Sequence, residues 1–122
     1  SEMTARAGQH LEGMLQRGFT TVRDAGGADS GHRSAVEKGL FPGPRLFVSG
    51  KILSQTGGHG DHRAIADVCA CETVAGGMSV IADGVDAVRK AVRENVRQGV
   101  DQIKIMGGGG VASPGDKLIH PQ

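Results

Sequence analysis

The stretch Val100-Asp101-Gln102-Ile103-Lys104-Ile105-Met106, followed at once by Gly107-Gly108-Gly109-Gly110, constrains the fold more than any other part of the chain. It reads as a short apolar strand interrupted by one lysine. Strands of a parallel sheet covered on both faces run as nearly continuous Val, Ile and Leu. Alternation puts Ile103 and Ile105 on one face and Lys104 on the other. An ammonium group buried there without a partner costs several kcal/mol or shifts its pKa until it is neutral. Two readings follow. Either Lys104 sits at an exposed strand end or pairs with a carboxylate such as Asp24, or it is held neutral in a barrel interior, where CO2 converts it to a carbamate that ligates metals. The four glycines permit a sharp turn and leave open space at the strand's carboxyl end, where ligands gather in α/β folds.

Upstream, the chain alternates helices and strands. Thr4 to Arg17 reads as a helix with Ala7, Leu11, Met14 and Leu15 on one face, although Gly8 and Gly13 weaken it. A strand is expected over Phe19–Asp24, with Val22 facing inward. A second helix runs from an N-cap at Asp29 or Ser30 to Lys38, and Phe41-Pro42-Gly43-Pro44 makes a turn. Arg45–Ser49 is a second strand. Gly84 to Gln98 is the clearest helix, with Asp83 as N-cap, Asp86 in its first turn, and a stripe of Val85, Val88, Val92 and Val96 beside Ala91. Helix and strand follow one another closely, which implies α/β architecture with parallel strands and right-handed crossovers. Residues 51–82 break the rhythm. They are expected to form a long functional loop at the carboxyl end of the second strand.

At 122 residues the chain makes a single domain, 1–122, far short of the ~250 residues of a complete (β/α)8 barrel. A net charge of +1 with dispersed basic residues, no Trp and no Tyr argues against nucleic-acid binding. No apolar run approaches the ~20 residues of a membrane span. Cys69 and Cys71 form a C-x-C pair that makes a poor disulfide framework, so a reduced, cytoplasmic setting is expected.

Three further features carry chemical potential. In Thr56-Gly57-Gly58-His59-Gly60-Asp61-His62, the histidine between glycines is open either to solvent or to substrate. A zinc site combining His59, His62, Cys69 and Cys71 does not match the usual ligand spacings. The run Gly107–Ala112 contains G-x-G-x-x-A after a strand, but Ser113-Pro114-Gly115-Asp116 follows where a dinucleotide fingerprint requires a helix. Arg23-Asp24, before Gly26-Gly27, reads as a structural ion pair or, as the alternative, a site-facing carboxylate.

Taken together, Gly18-Phe19-Thr20-Thr21-Val22-Arg23-Asp24-Ala25-Gly26-Gly27, Gly43-Pro44-Arg45-Leu46, Ser49-Gly50, Thr56-Gly57-Gly58-His59-Gly60, Ala82-Asp83-Gly84-Val85, Val92-Arg93 and Ile103-Lys104-Ile105 with Gly108–Val111 resemble the metal-dependent amidohydrolase superfamily. The similarity is greatest to its Xaa-Pro dipeptidase (prolidase-like) and imidazolonepropionase-related branch, and it covers nearly the whole chain. The resemblance implies a segment of a TIM-type (β/α)8 barrel, from the first helix to just past the fourth strand. It implies that Lys104 matches the carbamylated lysine bridging two divalent metals, most often zinc, and that His59 lies on the substrate side. The complete enzyme would hydrolyse C–N bonds of small dipeptide-like or cyclic amides.

The departures matter as much. The family's His-x-His pair on the first strand has no counterpart here, and its later histidines and catalytic aspartate would lie beyond Gln122. No catalytic residue is therefore expected in this segment, and the chain alone should bind no metal and be inactive. Open sheet edges make a homo-oligomer the expected state, and a non-catalytic self-associating scaffold is the competing function.

Overall fold

The glycine-punctuated alternation of amphipathic and β-branched segments folds into α1 (Glu2–Gln16), β1 (Thr21–Arg23), α2 (Ser30–Glu37), β2 (Arg45–Phe47), β3 (Ile52–Ser54), β4 (Ser79–Ile81) and α3 (Gly84–Arg97). This computed structural model describes residues 2–64, 66 and 77–110. Cys69, Cys71 and the segment from Val111 onward, including Ser113–Asp116, lie outside them. The three helices start and stop within two residues of the expected positions. Asp29 caps α2, accepting from the His32 N–H at 3.1 Å while His32 Nδ1 accepts from the Asp29 N–H.

The sheet is organised around residues 45–54. β2 pairs in parallel with β1, in the register Thr21↔Arg45, Val22↔Leu46 and Arg23↔Phe47. β3 pairs in parallel with β4, in the register Ile52↔Ser79, Leu53↔Val80 and Ser54↔Ile81. Between β2 and β3 the chain turns at Gly50, whose φ of +64° lies in the left-handed region that favours glycine. A Cβ there would also approach Val100 Cγ1 to 2.8 Å. On one side, the Gly50 N–H donates to Ala28 O and its carbonyl accepts from Gly27 N–H, so the end of β1 leads directly into β4's flank. On the other, Asp101 N–H donates to Val48 O at 2.8 Å, and the Leu53 N–H donates to Lys104 O at 2.9 Å. The Leu53 carbonyl then accepts from Met106 N–H at 3.0 Å. Residues 45–54 are thus the central lane of three parallel lanes.

Two expectations are corrected here. Residues 51–82 are not wholly loop. Ile52–Ser54 and Ser79–Ile81 are paired strands at the two ends of that segment, short enough that glycine and serine content hid their pattern. The Lys104 segment is not an extended strand of its own; it pairs with the central lane through the isolated parallel bridge Leu53↔Ile105.

The helix layer covers one face. Leu11 and Met14 of α1, Val36 of α2 and Phe41 pack with Leu46, Val48 and Val22. Val22 therefore faces the helices rather than the inner face. The helix-interior Gly8 is explained by the same packing, since a Cβ on it would lie 3.3 Å from the Phe41 ring. A second cluster joins Leu53, Ala82 and Ala91 to Val80, Val92 and Ile103. In α3 the buried face is centred on Ala91 and Asn95, whereas Val85 and Val96 are 72% and 60% exposed. The valine stripe is rotated from its expected orientation because Asn95, 3% exposed, turns inward to donate from Nδ2 to the Lys51 carbonyl at 2.8 Å. That carbonyl adjoins the Gly50 turn, where no strand neighbour satisfies it, so a buried amide does.

Asn95→Ala should therefore destabilise the chain by about 1–3 kcal/mol by orphaning the Lys51 carbonyl, whereas Val85→Ala should have little effect. Urea denaturation of both variants checks this; equal midpoints would contradict it.

Candidate functional site

Lys104 lies where two constraints meet. Its neighbour Ile103 is packed into the cluster with Leu53, Ala82 and Ala91, which directs Lys104 to the opposite face. Its carbonyl is fixed to Leu53 of the central lane. The side chain is half-buried, and no ion pair among the described residues includes it. Asp24 does not pair with it. Asp24 Oδ2 accepts from the N–H groups of Gly26 at 2.9 Å and Ala28 at 3.1 Å, and from Ser49 Oγ at 3.4 Å. That carboxylate organises the loop after β1. The expected Arg23–Asp24 ion pair is likewise absent among the described residues.

His59 stands at the tip of the loop that follows β3, on the carboxyl side of the same lane. Sequence reading treated this loop as open; it is clasped. Asp83 accepts from the Thr56 N–H at 3.0 Å and the Thr56 hydroxyl at 2.6 Å. Asp83 is positioned as the N-cap residue of α3, but its side chain makes no capping bond; it is spent on the loop. Asp61 accepts from the Gly57 N–H at 2.9 Å and from Arg63 Nε at 2.7 Å, forming a two-point pair with the Arg63 guanidinium. The Asp61 side chain is 6% exposed. Gly60 N–H donates to Ser54 Oγ at 3.0 Å. From this held loop, the His59 ring reaches the glycine run beyond Lys104, lying where a Cβ of Gly110 would be. The structure thus brings the His59 loop and the Lys104 segment together at one edge. His62 is exposed on the same loop, and no group of three or more His, Cys, Asp or Glu among the described residues has the geometry of a metal site.

The clasping roles of Asp61 and Arg63, and that of Asp83, expected only as a helix cap, escaped sequence reading. The signal was a G-x-x-x-D spacing in which a carboxylate returns to its own loop backbone. Asp101 also escaped it: its carboxylate accepts from Val48 N–H at 2.8 Å and from Arg33 Nη1 at 2.6 Å, tying the Lys104 segment to α2. A groove of about 620 Å3 lies elsewhere. Leu53, Val85, Val88 and Ile105 line it on the helix side, away from Lys104, so its size does not make it the site.

The clasp carries a pH signature. Hydrogen bonds from the Arg63 side chain hold Asp61 far below the ordinary carboxylate value of 3.8. The Thr56 hydroxyl, then its N–H, lowers Asp83 from the same value. Below that value the unfolded chain takes up protons that the folded chain refuses, so stability rises with pH across the window. The contribution is complete above about pH 5 and is lost as pH falls through 3.8 toward the lowered folded values. Urea midpoints measured from about pH 6 down to about pH 3 should drop less steeply for Asp61→Asn than for the parent chain. Parallel profiles would show that the Asp61–Arg63 pair does not contribute.

Comparison with known proteins places the fold. The Amidohydrolase family model matches residues 2–117. The chain is 40% identical over 112 residues to ochratoxinase of Aspergillus niger, an alignment covering 84% of this chain and 23% of ochratoxinase. A prolidase crystallised with N-methylphosphonate-L-proline superposes with a TM-score of 0.88 at 54% identity, over 97% of this chain and 30% of that one. A Xaa-Pro dipeptidase with methionine bound in its active site superposes with a TM-score of 0.80 at 35% identity, over 98% of this chain and 30% of that one. The chain spans less than a third of the length of these relatives and corresponds to a segment of their TIM-barrel fold. With nearly all of its residues matched, the chain belongs to the amidohydrolase family.

Proposed function

We propose that this segment serves a metal-dependent amidohydrolase that cleaves the C–N bond of a small dipeptide-like or cyclic amide, with Xaa-Pro dipeptides the favoured class. One observation carries the reading. A half-buried lysine without an ion pair among the described residues stands on the segment bridged to Leu53 of the central lane, beside Ile103, which packs into the cluster of Leu53, Ala82 and Ala91. The ligands bound by two structural relatives, N-methylphosphonate-L-proline in a prolidase and methionine in a Xaa-Pro dipeptidase, support a small substrate of this kind.

The described residues fit such a metal centre only in part. Lys104 supplies one ligand position, and no cluster of three further donors accompanies it among them. A divalent metal, zinc by family resemblance, would supply Lewis-acid activation of the amide carbonyl and of water. What this chain contributes is placement. The Lys104 amine, once neutral, adds CO2 with loss of one proton and so presents two oxygens in place of an ammonium. The hydrogen bonds of Leu53 to the Lys104 carbonyl and the Met106 N–H fix the segment that carries it. His59, held on its clasped loop, faces the substrate and orients it.

The competing reading is a non-catalytic scaffold that self-associates, and one observation favours it: Val85, Val96 and Ile105 are 72%, 60% and 61% exposed. Apolar surface of that kind marks a face that receives a partner. In the homo-oligomer we propose, a second copy covers it.

Assays on Xaa-Pro dipeptides separate the readings. The 122-residue chain alone, with zinc or manganese and bicarbonate, should show no turnover. In a polypeptide carrying the complete barrel, Lys104→Ala should lower kcat/KM by about a thousandfold, several kcal/mol of lost charge stabilisation. His59→Ala should raise KM more than it lowers kcat. Full activity in Lys104→Ala would overturn the enzymatic reading, and a cooperatively melting monomer by sedimentation would overturn the proposed self-association.

A further inference from the structure

We infer that Gly110 is the positioning residue for His59, an inference that rests on the reading of His59 as substrate-facing. A Cβ added to Gly110 would overlap His59 Cε1, Nδ1 and Nε2, so the ring occupies the volume that any other residue's side chain would fill. Gly110 has no positive φ; its requirement for glycine is the ring, not the backbone.

The overlap cannot be relieved by moving the loop. Gly60, adjacent to His59, is buried with its N–H on Ser54 Oγ, and a Cβ on it would come within 2.8 Å of Ser54 Cβ. Gly58 N–H donates to Gln55 O and the Gly58 carbonyl accepts from Asp61 N–H, each at 2.9 Å. Thr56 is tied to Asp83, and Asp61 to Arg63. With the His59 loop backbone held at both ends, a methyl group at position 110 is accommodated by rotation of the imidazole about its own side-chain bonds or by a shift of the glycine run, and either one changes the surroundings of the ring. The glycine run after Lys104 is thus more than a turn. Its fourth member sets the rotamer of a histidine on a different loop, so that the position of Lys104 and the aim of His59 are fixed by one short segment. Gly107, by contrast, has nothing within 4 Å of an added Cβ and serves as an internal comparison.

The test uses the full chain with labelled histidine, following the His59 ring Cε1–H resonance by NMR and assigning it by its loss in His59→Gln. Gly110→Ala should move that resonance, whereas Gly107→Ala leaves it in place. An unmoved His59 resonance in Gly110→Ala overturns the inference. Should Gly110→Ala destabilise the chain, the cost should shrink in a His59→Ala background, because the overlap is gone; an undiminished cost overturns it. In a complete enzyme, Gly110→Ala should raise KM for an Xaa-Pro dipeptide about tenfold with a smaller change in kcat. A shifted ring with unchanged KM supports the positioning role and overturns instead the reading of His59 as a substrate contact.

Discussion

Residues 45–54 form the lane on which everything else is hung. A single strand whose N–H and C=O groups alternate sides can serve two neighbours at once, and this one serves three segments in succession. β1 and its following loop occupy one side as far as Gly50, and β4 continues that side beyond it. The Lys104 segment occupies the other side, anchored at Val48 and Leu53. The turn at Gly50 carries the lane from β2 into β3, and the Lys51 carbonyl beside it is met by Asn95 from α3. Helix placement, strand register and the outlook of Lys104 all follow from this one lane.

What could be read from residues alone was whatever rests on local periodicity. The three helices, the strands at Val22 and Leu46, and the opposition of Lys104 to Ile103 come from spacing and glycine stops, which act over a few residues. What could not be read depends on distant partners. Asn95 has an ordinary polar identity until Lys51, 44 residues earlier, requires a donor. Asp83 has every mark of a helix cap, yet Thr56, 27 residues away, takes both of its oxygens. β3 and β4 are three residues each, too short to show a period. The resemblance identified the family because its motifs are points of contact between segments, and that information is longer in range than any pattern.

The edge of the sheet combines rigidity with economy of charge. Asp24, Asp61, Asp83 and Asp101 sit near the carboxyl ends or strand crossings, and each is engaged by backbone N–H groups or by a cation. Loops that carry functional side chains on α/β scaffolds must be ordered without regular structure, and carboxylates folded back on their own backbone supply that order. Lys104, half-buried, has no ion pair among the described residues, and the His59 ring fills the space that glycine leaves at position 110. The chain covers 23% of ochratoxinase and 30% of the structurally similar prolidase, so the chemistry of this edge is that of one sector of a barrel.

The central claim is that Lys104 is placed to be chemically changed rather than paired. Carbon-13 NMR of a metal-loaded complete enzyme equilibrated with 13C-bicarbonate tests it most directly. The account predicts a protein-bound carbamate carbonyl signal that vanishes in Lys104→Ala, and a spectrum in which Lys104→Ala changes nothing would contradict it.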